Sequence, residues 1–272
     1  MSGPVRTATV RRAVCVVLGM LSVGAALGVF AVARWRDAAF ILVYHRVEAY
    51  QGGRRSLYVG PERFERQMRF LVSRGYRPVT LDRMREMLDA GRIEPKTFTV
   101  TFDDGYRNNR TYAYPVLRTL GIPATVFVTA GAIGATRAYP YMPPAPHLSA
   151  GDLAALAEVF TVGAHTVNHP NLSLSSAPVI TVEIGESRRI LEAVTGTPVR
   201  HFCYPFGAVF DGYAAALSAA GYRTACTTRP GFVRAGADPY ALPRIEWKEP
   251  AAMSPRDVLK NLDFYVKILL GV

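Results

Sequence analysis

Histidine and cysteine are scarce in this chain of 272 residues, which has five of the former and three of the latter. Three cysteines cannot build a disulfide framework. Cys15 lies in an apolar segment. Cys203 and Cys226 sit in separate strand-like runs, where a bond is open to them if those strands adjoin; more often such residues are small buried hydrophobes. Acidic residues are missing altogether before Asp37, although Arg6, Arg11, Arg12, Arg34 and Arg36 occur there. Part of the formal charge of +11 is thus concentrated at the N-terminus, and the remainder keeps a modest basic excess that fits a membrane-facing or anionic-envelope setting. No basic run is interleaved with aromatics, which argues against nucleic acid as a partner. Neither an internal repeat nor a low-complexity segment divides the chain.

Charge is also absent from Ala13 to Ala33, "AVCVVLGMLSVGAALGVFAVA". At about 1.5 Å rise per residue, a helix of this length crosses a hydrocarbon core of roughly 30 Å. The arginines ahead of it favour an N-terminus inside the cell. The expected organisation is a cytoplasmic N-terminus (1–12), a transmembrane anchor (13–33) and an exported folded domain (34–272). The alternative is a cleaved signal peptide, since Ala31-Val32-Ala33 resembles a small-residue cleavage site; the folded part would then be secreted. Half of all residues are hydrophobic, and a single domain of about 200–250 residues suits the remaining length.

From residue 39 onward, short apolar runs alternate with amphipathic stretches. The runs are "FILVY" (40–44), "RPVTL" (77–81), "TFTVTF" (97–102), "ATVFV" (124–128), "VFTVGA" (159–164), "HFCY" (201–204), "TACTT" (224–228) and "ALPRI" (241–245). Between them, Phe64, Met68 and Leu71 follow Pro61 at helical spacing, and Ile180, Ile184, Ile190, Leu191 and Val194 mark a second helix. Gly75, Gly121 and Gly221 stand where helices are expected to end. Alternating strand and helix implies an α/β fold with a parallel sheet. Seven or eight such units predict a distorted (β/α) barrel, with a doubly wound open sheet as the rival. The Pro- and Tyr-rich segment 138–152 reads as a long loop, and residues from Ser254 onward read as a final helix with Pro255 in its first turn.

Polar residues gather just after these strands. His45 follows the first, Asp103 and Asp104 the third, His165 and His169 the fifth, "PFG" the sixth, and Arg244 ends the last. In a parallel barrel these ends share one face, where loops build active sites. Two adjacent carboxylates repel unless something neutralises one of them. Histidines four apart point the same way when the backbone makes a helical turn. Two imidazoles and one carboxylate make an open three-ligand site for zinc, with room for a water. The second carboxylate is then free to act as general base. The bland alternative has His165 and His169 capping a helix and the aspartates paired with surface arginines.

Two segments, Thr101-Phe102-Asp103-Asp104-Gly105 and His165-Thr166-Val167-Asn168-His169, resemble the first two motifs of the NodB-like polysaccharide deacetylases, carbohydrate esterase family four. The resemblance covers roughly residues 39–248. It implies that Asp103 is the general base and that Asp104, His165 and His169 hold a divalent metal, zinc above all, with cobalt or nickel also suited. It implies further that the substrate is an N-acetylated polysaccharide.

Two motifs depart from the family pattern. Where the family has Arg-x-Pro-aromatic, this chain has Cys203-Tyr204-Pro205-Phe206. The arginine that orients the base must come from elsewhere, and Arg244 is the candidate; otherwise it is a rim residue paired with Glu246. The backbone N–H of Phe206 still suits an oxyanion donor. The family's late Leu-x-Ile-x-His motif has no counterpart, since no histidine follows His201. Ile41-Leu42-Val43-Tyr44-His45 has that pattern at the other end of the domain. First and last strands are neighbours in a closed barrel, and the arrangement resembles the circularly permuted, exported poly-N-acetylglucosamine deacetylases. His45 is then the expected general acid, the alternative being a buried structural histidine. Phe206, Tyr204 and Trp247 are expected to line the substrate, with Tyr139 and Tyr141 stacking on sugar rings. His147 is expected in solvent and His201 in a structural role. Two other readings of the chain are a glycan-binding module without activity and a hydrolase of another acetylated substrate, such as xylan.

Overall fold

The computed structural model describes residues 37–139, 141–248 and 262–270. The apolar stretch 13–33 and the helix start at Ser254 lie outside the described residues. Among the described residues, no helix is long and apolar enough to cross a membrane.

The strands run in chain order β1 (Ala38–Tyr44), β2 (Arg46–Val47), β3 (Tyr58–Val59), β4 (Arg77–Pro78), β5 (Thr97–Phe102), β6 (Ala124–Val128), β7 (Thr136–Tyr139), β8 (Met142–Pro146), β9 (Phe160–Ala164), β10 (His201–Cys203), β11 (Thr224–Cys226) and β12 (Val233–Arg234). The α-helices are α1 (Pro61–Ser73), α2 (Leu81–Asp89), α3 (Tyr114–Leu120), α4 (Ala150–Leu156), α5 (Ala177–Thr195), α6 (Tyr213–Ala219) and α7 (Leu262–Leu270). The main sheet has the order β11-β10-β9-β6-β5-β1-β12, and β4 also pairs with β5. All its pairings are parallel except β1 with β12.

Every residue of β5 is buried, as is every residue of β1 and β6. Strands of a parallel sheet covered on both faces have this apolar character. The threonines of β5 are tolerated because their hydroxyls are satisfied: Thr101 donates to the Leu42 carbonyl at 2.7 Å and Thr99 to the Val79 carbonyl at 2.9 Å. Along β1, Phe40, Leu42 and Tyr44 join the large cluster under the helices, while Ala39 and Ile41 join a smaller one with Phe127, Cys203, Cys226 and Leu242. Side chains from strands that are not neighbours meet in this second cluster. That requires a curled sheet, consistent with a distorted (β/α) barrel.

The segment 241–245, expected as a strand, makes only single bridges. Leu242 pairs with Cys226 and Ile245 with Leu42. The Leu242 N–H donates to Ala225 and the Ile245 N–H to Ile41, so the segment joins β11 to β1. Pro243 has no N–H to extend a ladder. The segment 138–152 is no structureless loop: β7 and β8 form an antiparallel hairpin, and α4 follows, opened by a capping box between Ser149 and Asp152. Cys203 and Cys226 stand in direct register on β10 and β11, so their strands do adjoin, yet both remain free thiols.

Candidate active site

The first carboxylate is met by a cation supplied by the fold. Asp103 and Arg244 are both buried to within 2% of full exclusion. Arg244 Nη1 donates to Asp103 Oδ1 at 2.7 Å and Nη2 to Oδ2 at 2.6 Å, a two-pronged pairing that fixes the carboxylate plane. The guanidinium is itself held: Nε donates to the Thr227 carbonyl at 2.8 Å and Nη1 also to Thr101 Oγ1 at 3.0 Å. Glu246 pairs instead with Lys248. Burial pushes the Asp103 carboxyl up, but the Arg244 charge and hydrogen bonds outweigh burial and leave it below the usual carboxylate range. Cys203, where the family motif has arginine, accepts from Arg244 Nη2 at 3.1 Å. Its small side chain leaves the space into which Arg244 reaches from the neighbouring segment.

The second carboxylate faces two imidazoles. Asp104 Oδ1 lies 3.4 Å from His165 Nε2 and 3.3 Å from His169 Nε2. His165 Nδ1 lies 2.7 Å from the Cys203 carbonyl, to which it donates, so Nε2 is the nitrogen that faces Asp104: a lone pair when the ring is neutral, a donor to the carboxylate when the ring is protonated. Burial raises the Asp104 carboxyl, yet the hydrogen bonds of both histidines carry it well below its ordinary value. One ligand atom from each of the three residues lies within 4.8 Å of the others. Two imidazole nitrogens, that of His165 oriented by the Cys203 carbonyl, and one carboxylate oxygen fit a divalent ion such as zinc. Asp103, His165 and Cys203 also lie this close together, but they do not fit a cation. Both Asp103 oxygens are taken by Arg244, and burial holds the Cys203 thiol protonated.

The loop that presents the histidines is not a helical turn. Thr166 and His169 adopt left-handed φ values of 64° and 63°. The loop is held from outside by Glu183, a residue that sequence reasoning missed. Its carboxylate accepts from the Val167 N–H at 2.8 Å, the Asn168 N–H at 2.9 Å and Asn168 Nδ2 at 2.8 Å. Its signal is a charge on the buried face of α5, beside Ile184, Ser187 and Leu191. Asp104 is also left-handed, at φ 70°, and Gly105 follows at φ 79°. A Cβ at Gly105 would come within 3.3 Å of Val128, so the turn that aims Asp104 needs glycine there.

His45 Nε2 lies 3.9 Å from Asp103 Oδ2, and its half-buried ring faces the cleft. Phe206 (φ 61°) is exposed, and its ring meets His169 edge-on at 4.9 Å. Tyr139 and Tyr141 line the same cleft. Two expected substrate residues point elsewhere. Tyr204 is fully buried and its hydroxyl donates to the Tyr240 carbonyl at 2.8 Å. Trp247 packs edge-on against Phe70 and Phe264, at 6.1 and 5.3 Å. His147, expected in solvent, is 2% exposed. His201 is buried with Nδ1 at 2.8 Å from Thr224 Oγ1.

A curled parallel sheet carrying a carboxylate–arginine clamp beside an Asp-His-His triad is the arrangement of a carbohydrate deacetylase. A sequence model of the polysaccharide deacetylase family matches residues 90–225, and the chain belongs to that family. It is 28% identical over 207 residues to the protein YxkH of Bacillus subtilis (strain 168), covering 75% of this chain and 70% of that one. It is 24% identical over 235 residues to the poly-β-1,6-N-acetyl-D-glucosamine N-deacetylase of Staphylococcus epidermidis, covering 77% and 79%. Among solved structures it is similar to BC0361, a polysaccharide deacetylase from Bacillus cereus, with 26% identity, a TM-score of 0.69 and coverage of 85% and 69%.

Proposed function

We propose that the protein is a metal-dependent hydrolase that removes N-acetyl groups from N-acetylhexosamine residues of an extracytoplasmic polysaccharide. The observation that carries this reading is the meeting, in one cleft, of His45, the clamped Asp103 and the triad Asp104, His165 and His169. In it, Asp104, His165 and His169 hold the metal, most simply zinc, with cobalt and nickel equally served by these ligands. When bound, the metal polarises water and the substrate carbonyl as a Lewis acid.

Asp103, kept anionic and fixed in direction by Arg244, takes a proton from the attacking water. The Phe206 main-chain N–H donates to the carbonyl oxygen as negative charge builds on it. His45 gives its proton to the departing nitrogen, so that the C–N bond breaks to an amine and acetate leaves as the acid product. Tyr141 and Phe206 flank the sugar at the mouth. The name of the Staphylococcus epidermidis relative supports poly-N-acetylglucosamine as the polymer, and the apolar stretch 13–33 supports an envelope-anchored protein.

Acetate release measured side by side on chito-oligomers, acetyl-xylan and peptidoglycan tests the reading. Release from the N-acetylated glycans, lost together with zinc binding in His165→Ala, is expected. Sugar affinity without acetate release would make the chain a binding module, release only from acetyl-xylan would move the substrate to O-acetyl groups, and a fully active His165→Ala protein would end the proposal.

A further inference from the structure

Behind the triad lies a group of buried polar atoms that the proposed reaction does not use. Tyr106 directly follows the Asp104–Gly105 turn and is 1% exposed; His147 is 2% and Thr129 0% exposed. Among the described residues, Tyr106 Oη, Tyr139 Oη, Thr129 Oγ1 and His147 Nε2 are all excluded from solvent and make no well-formed hydrogen bond within the protein, although the Tyr106 hydroxyl is within reach of Asp104 and that of Tyr139 within reach of Thr129. One such atom costs about 1–3 kcal/mol, and native structures tolerate only a few. Four in one neighbourhood point to a shared purpose.

They are one neighbourhood. The Tyr106 ring lies between the His147 ring, at 4.9 Å, and the Arg46 guanidinium, at 5.1 Å. Tyr139 stands 6.3 Å from His147 and 5.0 Å from His169. The backbone binds the group to the metal loop: Tyr106 and His147 form a bridge, the Leu148 N–H donates to Gly105 and the Arg107 N–H to Pro146, both at 2.9 Å. His147 Nδ1 lies 3.1 Å from the Ala145 carbonyl, so Nδ1 carries the proton and Nε2 presents a lone pair. The His147 acceptor thus belongs to the same cluster as the Tyr106 and Tyr139 hydroxyls, of which Tyr106 reaches toward Asp104 and Tyr139 packs on His169.

We propose that Tyr106, Tyr139 and His147 are positioning residues for the metal triad, their hydroxyls and the His147 lone pair forming one hydrogen-bonded network, completed by ordered water, that fixes Asp104 and His169. The inference rests on the reading above in that the triad must bind a metal. Outer partners of this kind typically change metal affinity by about 10–100-fold.

The test is zinc affinity of the full chain, measured by competition with a chromophoric chelator for the parent, Tyr106→Phe, Tyr139→Phe, His147→Leu and His147→Gln. The two Phe variants remove single oxygens, and Tyr139 is only half-buried, so its variant folds even where the others do not. Tyr106→Phe and His147→Leu are expected to bind zinc at least tenfold more weakly and Tyr139→Phe several-fold more weakly. His147→Gln keeps an acceptor and recovers most of the loss. Affinities within twofold of the parent throughout, or equal losses in His147→Gln and His147→Leu, overturn the inference. A parent that binds no zinc overturns the metal site itself.

Discussion

Asp103 and Asp104 are adjacent and similarly buried, at 2% and 6% exposure, yet the fold treats them differently. Asp103 has its counter-charge built in, through two short bonds from Arg244. Asp104 faces two imidazoles, which are neutral when they serve as ligands. One carboxylate is electrostatically complete within the chain, and the other, in the function proposed above, is completed by a cation from outside. The lesson is that a pair of like charges is accommodated by giving each its own partner, one permanent and, on that proposal, one exchangeable.

The sharpest way to break this comparison is to remove the permanent partner. Arg244→Ala strands a buried anion and should destabilise the protein by about 3–5 kcal/mol, read as a lowered denaturant midpoint, while acetate release falls to background. An unchanged midpoint would mean that the clamp neutralises nothing. The exchangeable partner should act by mass action: zinc at about 100 times its dissociation constant raises stability by about 2.7 kcal/mol in the parent, and by nothing in His169→Ala. Thermal unfolding with and without zinc decides it. Arg244→Lys keeps the charge but loses the planar fork; a cost of about 1–2 kcal/mol, below that of Arg244→Ala, is expected from the same denaturant curves.

A further buried charge extends the comparison to the far end of β1. Lys267 of α7 is buried and donates to the Ala38 carbonyl at 2.6 Å. Burial brings its pKa down to about 8. Because the folded value lies below the unfolded one, the unfolded chain holds more protons between about pH 8 and 10.5, and stability should rise with pH across that window. The gain, on the order of 1 kcal/mol, should vanish in Lys267→Met when unfolding is followed at pH 8 and pH 10.

Much of this was legible in the sequence, for reasons that differ by residue. Asp103, Asp104, His165 and His169 stand at strand ends, where a parallel sheet gathers them whatever the details of packing. Arg244 was legible as a polar residue closing an apolar run, although that run proved to be single bridges around Pro243. The β7–β8 hairpin was hidden by its prolines, which are confined to strands that need few ladder bonds. His147 was hidden with it, because its burial comes from pairing with Tyr106 across 41 residues of chain. The inward turn of Tyr204 and Trp247 follows from which side of the backbone faces the core. Glu183 was readable only as an anomaly on a helix face.

The clamp on Asp103 has a consequence in time as well as space. Its two halves are separated by 141 positions, and Arg244 is brought in by the segment that joins β11 to β1. A chain ending before that segment would contain both aspartates and all five histidines, yet Asp103 would have nothing to aim it. In the proposed reaction, the base is therefore aimed only once the segment that follows β11 is in place.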